Sequence, residues 1–184
     1  MIILNTPLDE KVIKKLNIGD EVQLNGTVFT ARDMAHRYLL KNNFSRIKKS
    51  IIYHCGPIVK SDQVIAAGPT TSSRFNIYTP ELIRKYQIRA IIGKGGMDNR
   101  VKKSLKGNAI YLSAIGGVGA LYADKIKVVN VYKNCFGMPD AIWEFEIKDF
   151  LAIVSIDLKG NDLYSKIYDK SKQIYLKKIK YSIY

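Results

Sequence analysis

Residues 64–74 read VIAAGPTTSSR, an apolar run that ends at Gly68 and Pro69 and continues into hydroxyl side chains and Arg74. Glycine turns without a Cβ and proline fixes φ, so the pattern predicts a sheet strand that breaks sharply into a loop. Open α/β sheets bind ligands at the carboxyl ends of their strands. Because arginine and hydroxyls suit carboxylate or phosphate oxygens, the stretch predicts a small-anion site. A turn whose hydroxyls satisfy their own backbone is the simpler alternative.

Composition favours one globular domain over residues 1–184. The chain is 47% hydrophobic and 25% charged, with two cysteines and a formal net charge of +14. No apolar run is long enough to span a bilayer, and the N-terminus lacks the basic start of a secretory signal. We therefore expect a cytoplasmic protein. Cys55 and Cys135 are too far apart for a CxxC motif, so we expect two reduced thiols.

The positive charge is chiefly lysine, which indicates an anionic ligand or partner. It is spread along the chain, with one concentration in residues 159–184, which hold seven of the lysines and five of the twelve tyrosines. This tail predicts a solvated amphipathic helix that begins near Leu163. A nucleic-acid or acidic-partner surface is the alternative.

Strand and helix patterns alternate along the chain, which favours an α/β fold with a mixed sheet. Asn25-Gly26 between two β-rich runs predicts a β-hairpin within residues 21–30. Near the other end, residues 141–147 and 151–157 predict two separate strands.

A helix is expected after residue 30, because Thr30 and Asp33 have the spacing of a capping box. Arg32 then lies in the first turn of this helix, where the helix dipole disfavours a cation unless an anion sits in front of it.

Two glycine-rich loops could be mistaken for nucleotide sites. Residues 93–96 read GKGG after a predicted strand, but GxxxxGK[ST] is absent. Residues 116–119 read GGVG, and Tyr122 stands where GxGxxG needs its last glycine. The glycines of these loops instead allow the backbone to approach a ligand or another strand closely, and Lys94 would supply a point charge.

Four motifs occur together: ARDMAHR at 31–37, GPTTSSR at 68–74, GKGG at 93–96 and FGMPDAIW at 136–143. Their order and spacing resemble the β subunit of two-subunit class I fumarases and L-tartrate dehydratases, which matches the C-terminal domain of single-chain class I fumarases. The resemblance covers nearly the whole chain. It implies a swivelling β/β/α fold and a hydro-lyase that interconverts fumarate and (S)-malate.

The resemblance also implies an iron–sulfur cofactor, a four-iron four-sulfur cluster held by three cysteines of a separate α subunit. A chain with two cysteines cannot supply the usual thiolates, so we expect no metal site here and no activity without the partner. We expect a heterotetramer of two α and two β chains, a small dicarboxylate substrate, and neither membrane nor nucleic acid as a partner.

Carried onto this sequence, the resemblance places the substrate-carboxylate ligands at Arg32, Arg74 and Lys94 and the base at Thr70. Three cations on separate loops suit a dicarboxylate, which carries a negative charge at each end. Thr70 is a weak base, which can act only if nearby cations stabilise its alkoxide. His36 is a second candidate proton carrier, since imidazole titrates near neutrality.

The sequence leaves two alternatives open. Tartrate has the same carbon skeleton with one more hydroxyl, so it can replace fumarate as the substrate. A basic nucleic-acid-binding module that uses the tail is the alternative from another functional class. The chain also departs from the family pattern at Phe75, after the motif arginine, and at His54-Cys55, before the first Gly-Pro pair.

Overall fold

The computed structural model describes the fold of residues 1–182. Its strands are β1 (Ile2–Asn5), β2 (Glu21–Thr30), β3 (Ile51–Tyr53), β4 (Ile58–Lys60), β5 (Gln63–Ala66), β6 (Ala90–Gly93), β7 (Ile110–Ser113), β8 (Ile126–Tyr132) and β9 (Ile142–Ile156). Its α-helices are α1 (Glu10–Ile13), α2 (Asp33–Lys41), α3 (Thr79–Tyr86), α4 (Asn99–Leu105), α5 (Gly119–Ala123) and α6 (Leu163–Ser182).

Seven strands form one mixed sheet in the order β1-β2-β3-β6-β7-β9-β8. The neighbours from β1 to β7 run parallel, whereas β9 is antiparallel to β2, β7 and β8. Because β9 pairs with β2 as well as with β7, the strands β2, β3, β6, β7 and β9 close into a ring. The predicted α/β fold with a mixed sheet is confirmed.

Two apolar layers cover the sheet. On one face, Val59 of β4 and Val64 of β5 join the core cluster that includes the inward side chains of the large sheet. On the other face, Leu39, Leu82 and Val101 attach helices α2, α3 and α4 to the sheet. Burial of these faces supplies the main driving force for folding. The result is the expected β/β/α layering, and the swivelling motion stays a prediction.

The expected hairpin at Asn25-Gly26 is wrong, because β2 runs without reversal and pairs with β9 on both sides of this point. Gly26 has a φ of +103°, and the register with β9 shifts between Leu24 and Gly26. The amide of Asp149 donates to the side-chain oxygen of Asn25 at 2.8 Å. The Asn-Gly pair therefore lies at an irregularity in the pairing of two long strands and does not form a turn.

The expected capping box is also wrong. Helix α2 begins at Asp33, and Arg32 occupies the N-cap position. The side chain of Arg32 makes no capping hydrogen bond. The Thr30 hydroxyl instead accepts a hydrogen bond from the amide of Trp143 at 3.0 Å and donates to the carbonyl of Ala141 at 3.3 Å. Thr30 thus ties the end of β2 to β9.

Two other strand predictions need correction. The two strands predicted at 141–147 and 151–157 are one long strand, β9 (Ile142–Ile156), whose backbone is irregular at Asp149, with a φ of +54°. The apolar run before the GPTTSSR motif forms β5, which pairs with β4 in a separate two-stranded sheet. The run into the motif is therefore not a strand of the large sheet, although it contributes Val64 to the core.

The terminal helix begins at Leu163, as predicted. Asp162 caps it, since its carboxylate accepts from the amide of Tyr164 at 2.9 Å and from the Ser165 hydroxyl at 2.8 Å. Across the described part of the chain, no helix combines the length and the apolar character needed to cross a membrane.

Candidate active site

The GPTTSSR loop lies between the carboxyl ends of β3 and β6. The amide of Thr70 donates to the carbonyl of His54 at 2.6 Å, just after β3. The amide of Ser72 donates to the carbonyl of Lys94 at 2.9 Å, and the amide of Lys94 donates to the carbonyl of Thr70 at 3.3 Å. The loop therefore continues the hydrogen-bonding pattern of the sheet at the edge where α/β proteins bind ligands.

Arg32 lies across the turn that follows β3. A Cβ on Gly56 would lie 2.5 Å from Nη1 and 2.6 Å from Cδ of Arg32, so a side chain at position 56 would displace the arginine. The Nε of Arg32 is buried and has no hydrogen-bond partner among the described residues. A glycine at position 56 is thus a condition for the placement of Arg32.

Arg74 is oriented by helix α2. Its Nη2 lies 2.6 Å from Oδ2 of Asp33, and the two side chains are 49% and 34% exposed. Solvent screens such a pair, so it adds little to stability, but it fixes the direction of the guanidinium. Since Asp33 follows Arg32 in the chain, this ion pair joins the two arginines of different motifs.

Lys94 lies between the GPTTSSR loop and the second glycine loop. Its backbone pairs with Thr71 as an isolated parallel bridge. Its side chain runs beside Gly116, where a Cβ would lie 3.3 Å from Cδ and 3.9 Å from Nζ of the lysine. Lys94 is therefore half-buried, with its backbone paired to the GPTTSSR loop and its side chain beside Gly116.

These contacts connect all four residues that the resemblance assigns to substrate binding and proton transfer. Thr70 and Lys94 share a backbone hydrogen bond, and Arg74 follows Thr70 in the same loop and reaches α2, whose N-cap is Arg32. Thr71 and Arg74 are exposed on this face. The roles of these side chains stay predictions.

His36 is buried rather than exposed on the surface of α2. Its Nδ1 lies 2.8 Å from the carbonyl oxygen of Arg32, and its ring stacks on Phe75 at a centroid distance of 4.6 Å. Burial lowers the pKa of His36 to about 4. The imidazole is therefore neutral near pH 7, and its role as a proton carrier stays a prediction.

His54 is a site residue that sequence reasoning missed. It is fully buried, with Nδ1 2.9 Å from Oγ of Ser72 and its ring 4.6 Å from that of Phe75. Burial, and secondarily the neighbouring His36, holds the pKa of His54 well below its usual range. The departure from the family pattern before Gly56-Pro57 was the available signal.

Asp140 is a second missed residue. Its Oδ1 accepts from the amide of Met34 at 3.2 Å, so it caps the first turn of α2 beside Arg32. The indole Nε1 of Trp143 donates to the carbonyl of Met138 at 2.9 Å and holds this loop in shape. The FGMPDAIW motif thus supports the helix that carries the first arginine, and the motif itself was the signal.

The two cysteines do not form a ligand set for an iron–sulfur cluster. Cys55 is buried and Cys135 is exposed, and burial raises the pKa of the Cys55 thiol to about 12. A cluster normally takes three or four thiolates, and a buried thiol of this kind resists deprotonation. The residues of this chain therefore do not fit the direct ligation of a cluster.

Comparison with known proteins agrees with the four motifs. Residues 1–167 match the family described as Fumarase C-terminus. The chain is 42% identical over 175 residues to a Geobacillus stearothermophilus protein named "Putative fumarate hydratase class I", with 91% of this chain and 34% of that protein covered. This chain thus spans about a third of the length of that relative.

Two further relatives are similar in length to this chain. A Methanocaldococcus jannaschii protein named "Putative L(+)-tartrate dehydratase subunit beta" is 42% identical over 185 residues, with 91% of this chain and 95% of that protein covered. The "L(+)-tartrate dehydratase subunit beta" of Escherichia coli K12 is 32% identical over 176 residues, with 88% and 85% covered. These matches confirm the resemblance, and the chain belongs to the Fumarase C-terminus family.

Proposed function

We propose that this chain is the β subunit of an iron–sulfur hydro-lyase that catalyses the reversible hydration of fumarate to (S)-malate. The family match and the names of the relatives support a hydro-lyase. The observation that carries the proposal is the seating of the GPTTSSR loop. Its backbone hydrogen bonds to His54 and Lys94 set Thr70 beside one cation, and the ion pair with Asp33 directs another, Arg74.

The substrate is a small dicarboxylate, bound by Arg32, Arg74 and Lys94. Arginine gives paired hydrogen bonds to a carboxylate, whereas lysine acts as a compact point charge. The buried, unpartnered Nε of Arg32 indicates that this guanidinium has donor capacity that the described protein groups do not use. Three cations at this face offset the two charges of the substrate and keep it from binding in many orientations.

Thr70 is the proposed proton-transfer residue. In the dehydration of malate, a base removes a proton from the carbon next to the one that loses hydroxide, and the electron pair of that C–H bond forms the double bond. The cations around Thr70 stabilise its alkoxide. His36 is the weaker base, with a pKa of about 4, and its contact with the carbonyl of Arg32 suits it to holding the start of α2.

The iron–sulfur cluster belongs to a partner α subunit in this proposal. When bound there, it supplies a Lewis acid for the hydroxyl group that leaves. The name "subunit beta" of two relatives supports an α partner. A heterotetramer of two α and two β chains in the cytoplasm completes the proposal.

L-Tartrate dehydration is the second candidate. The relative from Methanocaldococcus jannaschii, which this chain covers almost completely, carries the tartrate dehydratase name at 42% identity. The additional hydroxyl of tartrate leaves both carboxylates available to the same three cations, so the proposed clamp accepts either substrate.

The test is anaerobic reconstitution with the α chain encoded nearby, followed by assays with fumarate, malate and tartrate. We expect activity in the assembled protein, with fumarate and malate preferred, and a colourless, inactive protein when this chain is purified alone. A cluster with hydratase activity in the lone chain would overturn the subunit assignment. An assembled protein that acts only on tartrate would select the second candidate.

A further inference from the structure

Ser72 lies at the centre of a cluster of buried polar side chains that have no role in the proposed chemistry. Ser72, His54 and Tyr111 are each 0% exposed. Oγ of Ser72 is 2.9 Å from Nδ1 of His54 and 3.0 Å from the hydroxyl of Tyr111. The Tyr111 hydroxyl also lies 2.8 Å from the carbonyl oxygen of Gly95.

The position of Ser72 depends on the glycine at the end of β6. A Cβ on Gly93 would lie 1.8 Å from Oγ of Ser72 and 3.3 Å from Nδ1 of His54. No side chain fits there, so Gly93 provides the space in which the serine meets the histidine. The first glycine of GKGG thus serves the serine of the GPTTSSR motif.

The hydroxyl of Tyr111 donates towards two acceptors, Oγ of Ser72 and the carbonyl oxygen of Gly95, which share its single proton. Oγ of Ser72 makes the next contact, with Nδ1 of His54. Each of the three side chains therefore contacts the next through a polar atom.

We propose that His54, Ser72 and Tyr111 form a buried hydrogen-bond chain that positions Thr70 and Lys94 for the reaction. The chain starts on the residue whose carbonyl accepts from the Thr70 amide, and it ends on the carbonyl of Gly95, next to Lys94. It therefore joins the two loops that carry the proposed base and the proposed lysine ligand. The three are positioning residues, and the inference rests on the proposed function.

The first test compares Tyr111→Phe with Tyr86→Phe in the assembled two-chain protein. Both changes delete a buried hydroxyl that donates to backbone carbonyls, since Tyr86 lies 2.7 Å from the carbonyl oxygens of Leu39 and Asn42. We expect Tyr111→Phe to lower kcat by about 10- to 100-fold, because small misplacements of reacting groups have effects of this size. Tyr86→Phe should stay within about 3-fold, since it loses stability of the kind any buried hydrogen bond contributes.

A rescue at His54 separates hydrogen bonding from packing. The side-chain amide of Asn can form a hydrogen bond with Oγ of Ser72 in place of Nδ1, whereas Leu fills the same space without a polar atom. We expect His54→Asn to recover most of the kcat that His54→Leu loses. Equal losses in the two variants would overturn the inference.

Amide hydrogen exchange in the lone chain makes the inference testable apart from the enzyme. Tyr111→Phe should speed exchange at Ser72 and Lys94 relative to Tyr86→Phe. Unchanged exchange at these amides would overturn the inference whether or not the assembled protein is a hydro-lyase. An inactive wild-type assembly with faster exchange in Tyr111→Phe would refute the proposed function but retain the link between the loops. Equal kcat for the two variants in an active assembly would overturn the positioning role.

Discussion

Two basic regions of this chain differ in how their charges are held. In the candidate site, Arg74 pairs with Asp33 at 2.6 Å, and Arg32 and Lys94 lie against the backbone of glycines. In α6, the lysines and many apolar side chains from Lys166 to Ile179 are exposed. Exposed charges are screened by salt, whereas a charge held by an ion pair or packed against backbone has a preferred orientation before a ligand arrives.

The difference shows that the net charge alone says little about the ligand. The tail contributes many of the cations, and its lysines from Lys166 to Lys177 are exposed. The candidate site contributes few cations, and each of them is positioned by an identifiable contact. The proposed anion site is therefore the clamp, and the tail is treated as a solvated helix.

The largest effect should come from Thr70→Ala compared with Thr71→Ala. Thr70 is half-buried beside Lys94, whereas Thr71 is exposed. Loss of the proposed base should reduce kcat by about 100- to 10,000-fold, the range typical of proton-transfer groups. Thr71→Ala should lose far less, and both variants should fold and bind the α chain. Equal rates in anaerobic assays of the two assembled variants would remove Thr70 from the chemistry.

Replacement of either site arginine by lysine keeps the charge but removes the paired hydrogen bonds. We expect Arg32→Lys and Arg74→Lys to lower kcat/KM by about 10- to 100-fold, because a hydrogen bond to a charged group is worth roughly 1.5–3 kcal/mol. Arg84→Lys is the matched control, since this side chain is 81% exposed in a helix-surface pair. Near-normal kinetics in both site variants would contradict the clamp.

Acid should destabilise the site before the tail, because His36 and His54 are the chain's two histidines and both lie at the site. The folded pKa of His36 is about 4, below its ordinary 6.5, so the unfolded chain binds the proton more readily between these values. The free energy of unfolding should therefore decrease as the pH is lowered. This group contributes a loss of about 2 kcal/mol between pH 7 and pH 5.

Urea unfolding of the wild type and of His36→Gln at the two pH values measures this effect. The variant should show a smaller loss on acidification, since only His54 then titrates in this way. An identical pH dependence in the two proteins would show that His36 does not carry the effect.

The smallest effect should come from the tail. Changing Lys170, Lys172 and Lys177 of α6 to Ser should leave kcat/KM of the assembled protein within about 2-fold, since exposed charges contribute little. Nucleic-acid binding by the wild type should be weak at physiological salt. Tight binding with a steep dependence on salt, lost in the triple variant, would favour the nucleic-acid alternative instead.

Local signals predicted the parts of the fold that depend on local chemistry. The Gly-Pro break after residue 67, the two glycine loops and the start of α6 at Leu163 lie where the sequence indicated. The hairpin predicted from the Asn-Gly pair was wrong because the conformation of this pair is set by contacts with β9, more than a hundred residues away in the sequence. The place of β5 outside the large sheet depends likewise on packing that no short pattern reports.

The candidate site divides in the same way. Its cations and Thr70 could be predicted because each lies in a recognisable motif. The links His54 to Ser72 and Ser72 to Tyr111 could not, because they join residues 18 and 39 positions apart that differ in type and share no periodicity. Buried polar contacts of this kind become visible only when the strands that carry them are paired.

The most direct test of the clamp is a crystal structure of the assembled two-chain protein, prepared anaerobically with a bound dicarboxylate. We predict that the carboxylate oxygens lie within hydrogen-bond distance of Arg32, Arg74 and Lys94, with the Thr70 hydroxyl facing the carbon that loses its proton. A dicarboxylate held only by residues of the α chain, with these four side chains directed into solvent, would contradict the account.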